Sequence, residues 1–348
     1  MARHPHSLKI RLELWLLRAV QALIALLPLR WVTLPGALLA WLGYYVVPRS
    51  RQAALHNLEL ALGDALTPAQ RRRLLREVYR FFGGVACEVL AMPRLAGTLL
   101  QRHVVLENPQ VLRDALEAGR GAVLVSGHLG NWELMGGAIS RSGLVLSMYV
   151  GAQRNPLVDE AINGIRRSLG TETVGKGVAM RGLLRAMRAN RIVAMLADQH
   201  YSRKRHYVAY FGRPVSMVPG PASLALRTGA PVIFGQCLRE GPLRYRATFR
   251  RIAPPPATGD TEWDLLAYSQ AIADALAEAV RAHPAQYFWM HRRFRPIPAR
   301  TTLSETNRAF LAGRLRDPLP APTAETAAGA AAAGPAEPAH DAGLEQAG

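Results

Sequence analysis

The stretch GAVLVSGHLGNWELMGG, residues 121–137, decides the fold. It begins with an apolar run, continues into a glycine-flanked turn, and then reaches Asn131, a residue type preferred at helix N-caps. This order predicts a buried strand, a turn that holds His128, and a helix that begins at Trp132. In α/β sheets, ligands bind beyond the carboxyl ends of the strands. We therefore expect His128 at a ligand-binding edge of a sheet.

Strands and helices alternate on both sides of that stretch. Strands are predicted at 121–126, 144–150, 191–197 and 231–238, and helices at 49–63, from Thr67 onward, from Asn108–Pro109 to near Gly119, and near 131–142, 155–169, 178–189 and 262–282. Thr67, Pro68 and Gln70 form a capping-box pattern. The alternation predicts an α/β fold with a largely parallel or mixed central sheet flanked by helices.

The N-terminal segment is markedly apolar. Residues 31–48 form an 18-residue run without a charge, which approaches the roughly 20 residues of a membrane-spanning helix. Tryptophans and tyrosines suit the bilayer interface, whereas Pro35 and Gly36 interrupt a straight helix. We interpret residues 1–48 as a membrane-anchoring helical segment that spans or lies on the bilayer. The alternative is a pair of buried core helices.

The charge distribution separates the remaining chain into two parts. We expect a folded α/β domain at 49–316 and a disordered, Ala/Pro-rich acidic tail at 317–348. The formal net charge is +18, and the tail contains acidic but no Lys or Arg residues, so the folded part is more basic still. A basic protein suits an anionic partner, either a phospholipid surface, an acidic carrier or substrate, or a nucleic acid.

The cysteine pattern is uninformative about catalysis. Only Cys87 and Cys237 occur, without a CxxC motif or a Cys/His cluster. We expect reduced, structural thiols in a cytosolic environment, and no zinc site.

His128 and Glu133 are candidates for acid–base chemistry. On one continuous helix they would lie about 140° apart and could not touch, but a turn before Trp132 lets Glu133 reach back. A carboxylate bonded to one imidazole nitrogen raises the basicity of the other. His128 would then deprotonate a substrate hydroxyl, with backbone N–H groups near residues 130–132, or an arginine, stabilising an oxyanion. The alternative is a solvent-facing histidine and an ordinary helix-start glutamate.

Further candidates come from the basic residues and one strand end. Arg154, Arg166 and Arg167 are candidate substrate-binding residues because guanidinium groups match phosphates and oxyanions. The alternative for them is a solvated helix face. Asp198 ends the strand predicted at 191–197, where it either binds substrate or caps a turn. Two basic segments with aromatic neighbours, 202–207 and 289–296, suit a nucleic acid, lipid phosphates or an acidic carrier protein.

The chain resembles the late acyltransferases of lipid A biosynthesis, the lauroyl and myristoyl transferases of the glycerolipid acyltransferase superfamily. HLGNWE at 128–133 is similar to the histidine-x4-acid signature of that superfamily. The resemblance covers about residues 10–300 and continues through RQAALHNLELAL, RNP, IRRSLG, MLADQ, YFGRPV, LRTGAPVI and HPAQYFWMHRRFRPIP. One departure is Pro219 before Gly220, where the family usually has a threonine ahead of the glycine.

The resemblance implies an enzyme on the cytoplasmic face of the bacterial inner membrane. It would move a fatty acyl chain from acyl carrier protein to a hydroxyl of an anionic lipid A precursor of the Kdo-lipid IVA type. It implies His128 as the general base, Glu133 as its partner, and functional roles for Arg166 or Arg167 and for Asp198. It implies no metal, no bound cofactor and no nucleic-acid partner.

Two alternatives stay open. In the first, the enzyme still transfers an acyl chain, but to another glycolipid, for example a phosphatidylinositol mannoside. The other is a non-catalytic basic protein that binds membranes or nucleic acid. That alternative predicts a dispensable His128–Glu133 pair and binding that collapses with salt.

Overall fold

The computed structural model describes residues 8–95, 98–175, 179–201, 206–298 and 301–319. The α-helices are α1 Leu8–Leu26, α2 Pro35–Val46, α3 Pro48–Leu62, α4 Pro68–Ala91, α5 Thr98–His103, α6 Gln110–Leu116, α7 Trp132–Arg141, α8 Pro156–Ser168, α9 Ala179–Arg188, α10 Gly220–Thr228, α11 Thr261–Ala282 and α12 Glu305–Leu311. Short 3-10 helices lie at Leu29–Trp31, Met92–Leu95 and Pro284–Gln286. Most of the tail and most of the basic segment 202–207 fall outside the described residues.

The strands form one large mixed sheet and one small hairpin. They are β1 Val104–Glu107, β2 Ala122–Ser126, β3 Leu146–Tyr149, β4 Glu172–Val174, β5 Ile192–Leu196, β6 Tyr207–Tyr210, β7 Arg213–Ser216, β8 Val232–Gly241 and β9 Arg244–Ile252. The 7-stranded sheet has the order β1-β9-β8-β2-β5-β3-β4. Strands β8, β2, β5, β3 and β4 are mutually parallel, and β9 is antiparallel to β8. The mostly parallel, mixed α/β sheet is therefore confirmed.

The predicted elements around the opening stretch are present. Asn131 caps α7 and accepts a hydrogen bond from the Leu134 N–H at 3.1 Å, and Thr67 and Gln70 form the capping box of α4. Strands β1, β4, β6 and β7 were not predicted. The antiparallel strand β9 was not predicted either, although its buried and exposed residues largely alternate. Arginines occupy much of its outer face, so the sequence RYRATFRRI lacks the apolar run by which the parallel strands were recognised.

The core has one layer on each face of the sheet. Side chains alternate across a strand, so β2 supplies Val123 and Val125 to one layer and Leu124 to the other. Helices α9, α10 and α11 contribute to the first layer, and α6 and α7 to the second. Because both faces are covered, the open carboxyl edge of the parallel strands is where polar side chains gather.

The apolar N-terminal run is broken into separate helices. Pro35 and Pro48 each begin a helix, where the missing N–H costs nothing. Within the described residues, no individual helix combines the length and the apolarity needed to cross a bilayer. The pair Leu29–Val46 and Pro48–Leu62 meets that requirement only jointly, by length and composition, and is bent by 88°.

Helix α2 packs closely on α4. A Cβ added at Gly36 would lie 2.5 Å from the Gly83 carbonyl carbon, and one at Gly83 would overlap the Gly36 carbonyl oxygen. The two backbones can approach this closely only because neither position has a side chain. One face of α2 is thereby fixed on the folded body, while Leu34, Leu38 and Trp41 stay exposed.

Candidate active site

The turn after β2 places His128 at the carboxyl edge of the sheet. Two glycines permit this turn. A Cβ at Gly127 would lie 2.6 Å from Leu276 Cδ1. Gly130 has φ +65°, and a Cβ there would overlap the Cys237 carbonyl oxygen. The backbone therefore runs against β8 and α11 in a path that only glycine allows.

Asp198 holds the imidazole of His128. The two Asp198 carboxylate oxygens accept from the His128 backbone N–H and from ring Nδ1–H, each at 2.8 Å. The pairing follows from the sheet register: Ser126 in β2 lies beside Leu196 in β5, so the residues two positions further on meet beyond the edge. With its proton on Nδ1, the ring has a lone pair on Nε2.

Glu133 has a different partner from the one expected. Its carboxylate accepts two hydrogen bonds from Arg166, from Nε at 2.9 Å and from Nη2 at 2.6 Å, and a third from Trp132 Nε1 at 3.2 Å. The expectation that Glu133 bonds to the imidazole is therefore wrong. Glu133 lies in the first turn of α7 and its carboxylate meets α8, whereas the strand register delivers Asp198 to the histidine.

The surrounding charges raise the pKa of His128. Burial lowers the pKa of His128, but the charge and hydrogen bond of Asp198, with the charge of Glu133, raise it above its usual value. Burial raises the pKa of Asp198, but His128 and the nearby guanidinium of Arg293 hold it below its usual value. Asp198 is thus a carboxylate whose charge favours a proton on His128.

A cavity of about 490 Å³ opens beside His128, within the range of about 300–1,000 Å³ typical of small-molecule sites. Its lining has two parts. The polar part includes His128, Glu133, Arg166, Gln199, His200, His291 and Arg295, and the apolar part includes Leu124, Met135, Gly136, Leu146, Met148 and Ala194. Leu124 lies two residues inside the carboxyl end of β2, whereas His128 lies in the turn beyond that end. The apolar part therefore lies deeper along the sheet.

Aromatic rings flank the imidazole. Trp132 meets the His128 ring edge-on with centroids 4.6 Å apart, and Phe288 lies 6.1 Å away. The Gln199 amide lies 3.3 Å from His128 Nε2, where an incoming hydroxyl would also have to approach. These neighbours exclude much of the solvent, and the His128 side chain is only 18% exposed.

The three candidate arginines have different positions. Arg166 lines the cavity beside Glu133. Arg167 is 52% exposed and pairs with Glu160. Arg154 is exposed and is not part of the cavity lining. Within the described ranges, no cluster of three or more His, Cys, Asp or Glu side chains is arranged to hold a metal ion.

Two of the backbone oxyanion donors expected near residues 130–132 are already engaged. The Gly130 N–H donates to the Gln286 carbonyl and the Asn131 N–H to the Cys237 carbonyl, each at 2.8 Å. These bonds connect the turn to β8 and to the segment after α11. The N–H groups of Gly130 and Asn131 are therefore unavailable to a substrate.

Sequence reasoning missed the polar residues Gln199, His200, His291 and Arg295. The segment 289–296 was singled out for its basic and aromatic composition and as part of a family-like motif, without a role for any one of its residues. Its buried Arg293 donates from Nη1 to the carbonyls of Ser216 at 2.6 Å and Gln199 at 3.3 Å. The arginine thereby connects this segment to the residues that follow β5, a contact with no local signal in the sequence.

Comparison with known proteins identifies the relatives of this chain. The family model described as bacterial lipid A biosynthesis acyltransferase matches residues 1–296. A phosphatidylinositol mannoside acyltransferase of Mycobacterium tuberculosis is 32% identical over 234 residues, covering 65% of this chain and 70% of the relative. A lipid A biosynthesis palmitoleoyltransferase of Escherichia coli is 24% identical over 279 residues, covering 77% and 88%. The chain therefore belongs to the bacterial lipid A biosynthesis acyltransferase family and is an acyltransferase, as the resemblance of its motifs indicated.

Proposed function

We propose that this enzyme transfers a fatty acyl chain from acyl carrier protein to a hydroxyl of an anionic glycolipid of the lipid A precursor type. The observation that carries the proposal is the position of His128. Its Nδ1 is held by Asp198, and it lies at the polar part of a cavity whose deeper lining is apolar. A base beside an apolar cavity suits a reaction between a hydroxyl and an acyl chain.

The proposed mechanism uses His128 twice. Nε2 removes the proton from the acceptor hydroxyl as its oxygen attacks the thioester carbonyl, which forms a C–O bond and a tetrahedral oxyanion. The intermediate then expels the thiolate by breaking the C–S bond, and the imidazolium returns the proton to sulfur. Asp198 keeps the imidazole in the required tautomer and stabilises its charged form. The thioester supplies the driving force.

Glu133 and Arg166 shape the polar part of the cavity in this proposal. Their two-point ion pair holds α7 against α8, and both side chains are largely buried, at 7% and 14% exposure. Arg295 also lines the cavity and is exposed. As a cation near the opening, it suits a phosphate of the acceptor or of the carrier's prosthetic group.

The proposal places the enzyme on the cytoplasmic face of the inner membrane, lying on the bilayer surface. Apart from Val105, Val145 and Leu226, every exposed large hydrophobic side chain among the described residues falls between Leu8 and Val47. Such a concentration of apolar surface marks an interaction site. The basic net charge of the protein favours anionic headgroups.

A second candidate acceptor is a phosphatidylinositol mannoside. It is favoured by the 32% identity to the mycobacterial relatives, compared with 24% for the lipid A enzyme of Escherichia coli. The chemistry at His128 is the same for both acceptors. They differ in the sugar and phosphate groups that the polar part of the cavity has to bind.

The deciding experiment is an acyl-transfer assay in detergent micelles. Acyl carrier protein loaded with chains of 10 to 16 carbons serves as donor. A tetra-acylated, Kdo-bearing lipid A precursor and a phosphatidylinositol mannoside serve as parallel acceptors. We expect transfer to the lipid A precursor that His128→Ala abolishes while the fold survives. Transfer to the mannoside alone would select the second candidate, and undiminished transfer by His128→Ala would disprove the mechanism.

A further inference from the structure

The reaction needs a hydrogen-bond donor for the oxyanion, and most obvious donors in the described part of the site are engaged. The N–H groups of Gly130 and Asn131 donate to carbonyls of the protein. Arg166 donates to Glu133 and to Asn163. A tetrahedral intermediate therefore needs a donor other than these three groups.

His291 offers such a donor in a fixed tautomer. The backbone N–H of His200 donates to His291 Nε2 at 3.0 Å, so Nε2 carries a lone pair and the proton of the neutral ring lies on Nδ1. No described residue is a hydrogen-bond partner of Nδ1, and the ring lines the same cavity as His128. The unused N–H is therefore available to a ligand.

The ring remains neutral at physiological pH. Burial lowers the pKa of His291 to about 4; Asp198 opposes this shift, and the positive charges of Arg293, His128 and Arg295 add to it. A neutral imidazole can donate a hydrogen bond without giving up its proton to the leaving thiolate. It therefore does not compete with His128 as the acid.

The histidine is also held in place before substrate arrives. The Asn57 side chain, buried in α3, donates to the carbonyls of Trp289 at 2.7 Å and His291 at 2.5 Å. Together with the His200 N–H on the ring, these contacts fix both the backbone and the side chain. A donor whose position is fixed in advance costs little reorganisation when charge develops, which is the condition for strong oxyanion stabilisation.

We infer that His291 is a catalytic residue, whose Nδ1–H donates a hydrogen bond to the oxyanion formed from the thioester carbonyl. This inference rests on the proposed acyl transfer and deepens it by assigning the oxyanion donor. His128 moves the proton, and His291 stabilises the negative charge.

Two substitutions separate this role from a structural one. His291→Asn keeps an amide donor at the position of Nδ1 and loses the acceptor for the His200 N–H. His291→Gln keeps an acceptor near the position of Nε2 and loses the donor at Nδ1. If His291 stabilises the oxyanion, kcat falls about 100-fold in the Gln variant, with little change in KM, and stays within about tenfold of wild type in the Asn variant.

The measurement is kcat and KM for acyl transfer, at equal folded fraction by circular dichroism. A Gln variant with kcat equal to or above that of the Asn variant would overturn the inference, because the ring would then matter only for holding the His200 N–H. If the Gln variant fails to fold, His291→Phe keeps ring volume without a donor, and wild-type kcat in that variant overturns the inference equally. Absence of transfer by the wild type, in contrast, is a failure of the proposed function itself.

Discussion

At the residue scale, the chemistry depends on which carboxylate meets His128. Asp198 binds both the ring and the backbone N–H of His128, whereas Glu133 binds Arg166. The two carboxylates therefore have different roles. Asp198 sets the tautomer and basicity of the imidazole, and Glu133 fixes the neighbouring helices.

Replacement of Asp198 by Asn is expected to lower kcat/KM about 10²- to 10⁴-fold. The Asn amide can donate to Nδ1, which moves the imidazole proton to Nε2 and removes the base. His128 must be neutral to act, and its pKa is raised, so wild-type kcat/KM increases with pH through a pKa above the usual value of a histidine. In the variant, the increase of the residual activity with pH should begin at a lower pH than in wild type, because the carboxylate no longer raises this pKa.

The pH profile of kcat/KM measures both effects. Glu160→Gln is the control, since Glu160 pairs with the exposed Arg167 away from the cavity. Its profile should match that of wild type. An Asp198→Asn enzyme with wild-type activity and an unshifted acidic limb would contradict the assignment.

At the scale of the elements, α8 presents two adjacent arginines in different environments. Arg166→Ala leaves the buried Glu133 carboxylate without its cation and should lower the free energy of unfolding by about 3–5 kcal/mol. Arg167→Ala breaks only an exposed pair and should cost no more than about 1 kcal/mol. Urea unfolding of both variants measures the difference, and equal losses would show that the Glu133–Arg166 pair is not buried as described.

The contact between α2 and α4 gives a second test at this scale. Gly83→Ala places a methyl group against the Gly36 carbonyl and should destabilise the protein by about 1–3 kcal/mol. Gly164→Ala in α8 is the matched control, because its Cβ would meet only Arg167 Nη2 at 3.7 Å. The control should gain about 0.5–1 kcal/mol from the better helix propensity of alanine. Thermal unfolding of the two variants measures the difference in stability. A Gly83→Ala protein as stable as wild type would contradict the close packing of α2 on α4.

At the scale of the whole molecule, one apolar surface and the positive net charge act together. We expect the protein to bind vesicles that contain anionic phospholipid, with a blue shift of tryptophan fluorescence, and to bind more weakly as salt screens the charge. The double substitution Leu38→Ser and Trp41→Ser should weaken binding at least tenfold. Burial of one large apolar side chain contributes about 1.5–3 kcal/mol, and about 1.4 kcal/mol corresponds to a factor of ten.

Leu226→Ser is the control for that experiment. Leu226 is 45% exposed but lies in α10, outside the N-terminal helices. Vesicle binding should be unchanged in this variant. Equal binding by the double variant and by wild type would exclude α2 as the membrane-facing element.

Part of the fold followed from local patterns in the sequence. Apolar runs predicted the parallel strands β2, β3, β5 and β8, capping residues predicted the starts of α4 and α7, and the glycines of the opening stretch predicted the turn that holds His128. Each of these signals acts within a few residues of the chain. For the same reason the arginine-rich β9 was missed, since its pairing with β8 and β1 determines it more than its own composition does.

The sequence by itself determined that a histidine follows a buried strand and that Asp198 follows another. Only the tertiary structure decided that these two residues form a pair, that Glu133 belongs to Arg166, and that His291 shares the cavity. The physical reason is that a hydrogen-bond partner depends on the register between strands and on the crossing of helices. Those relations are set by packing between distant parts of the chain, so no spacing within one segment encodes them.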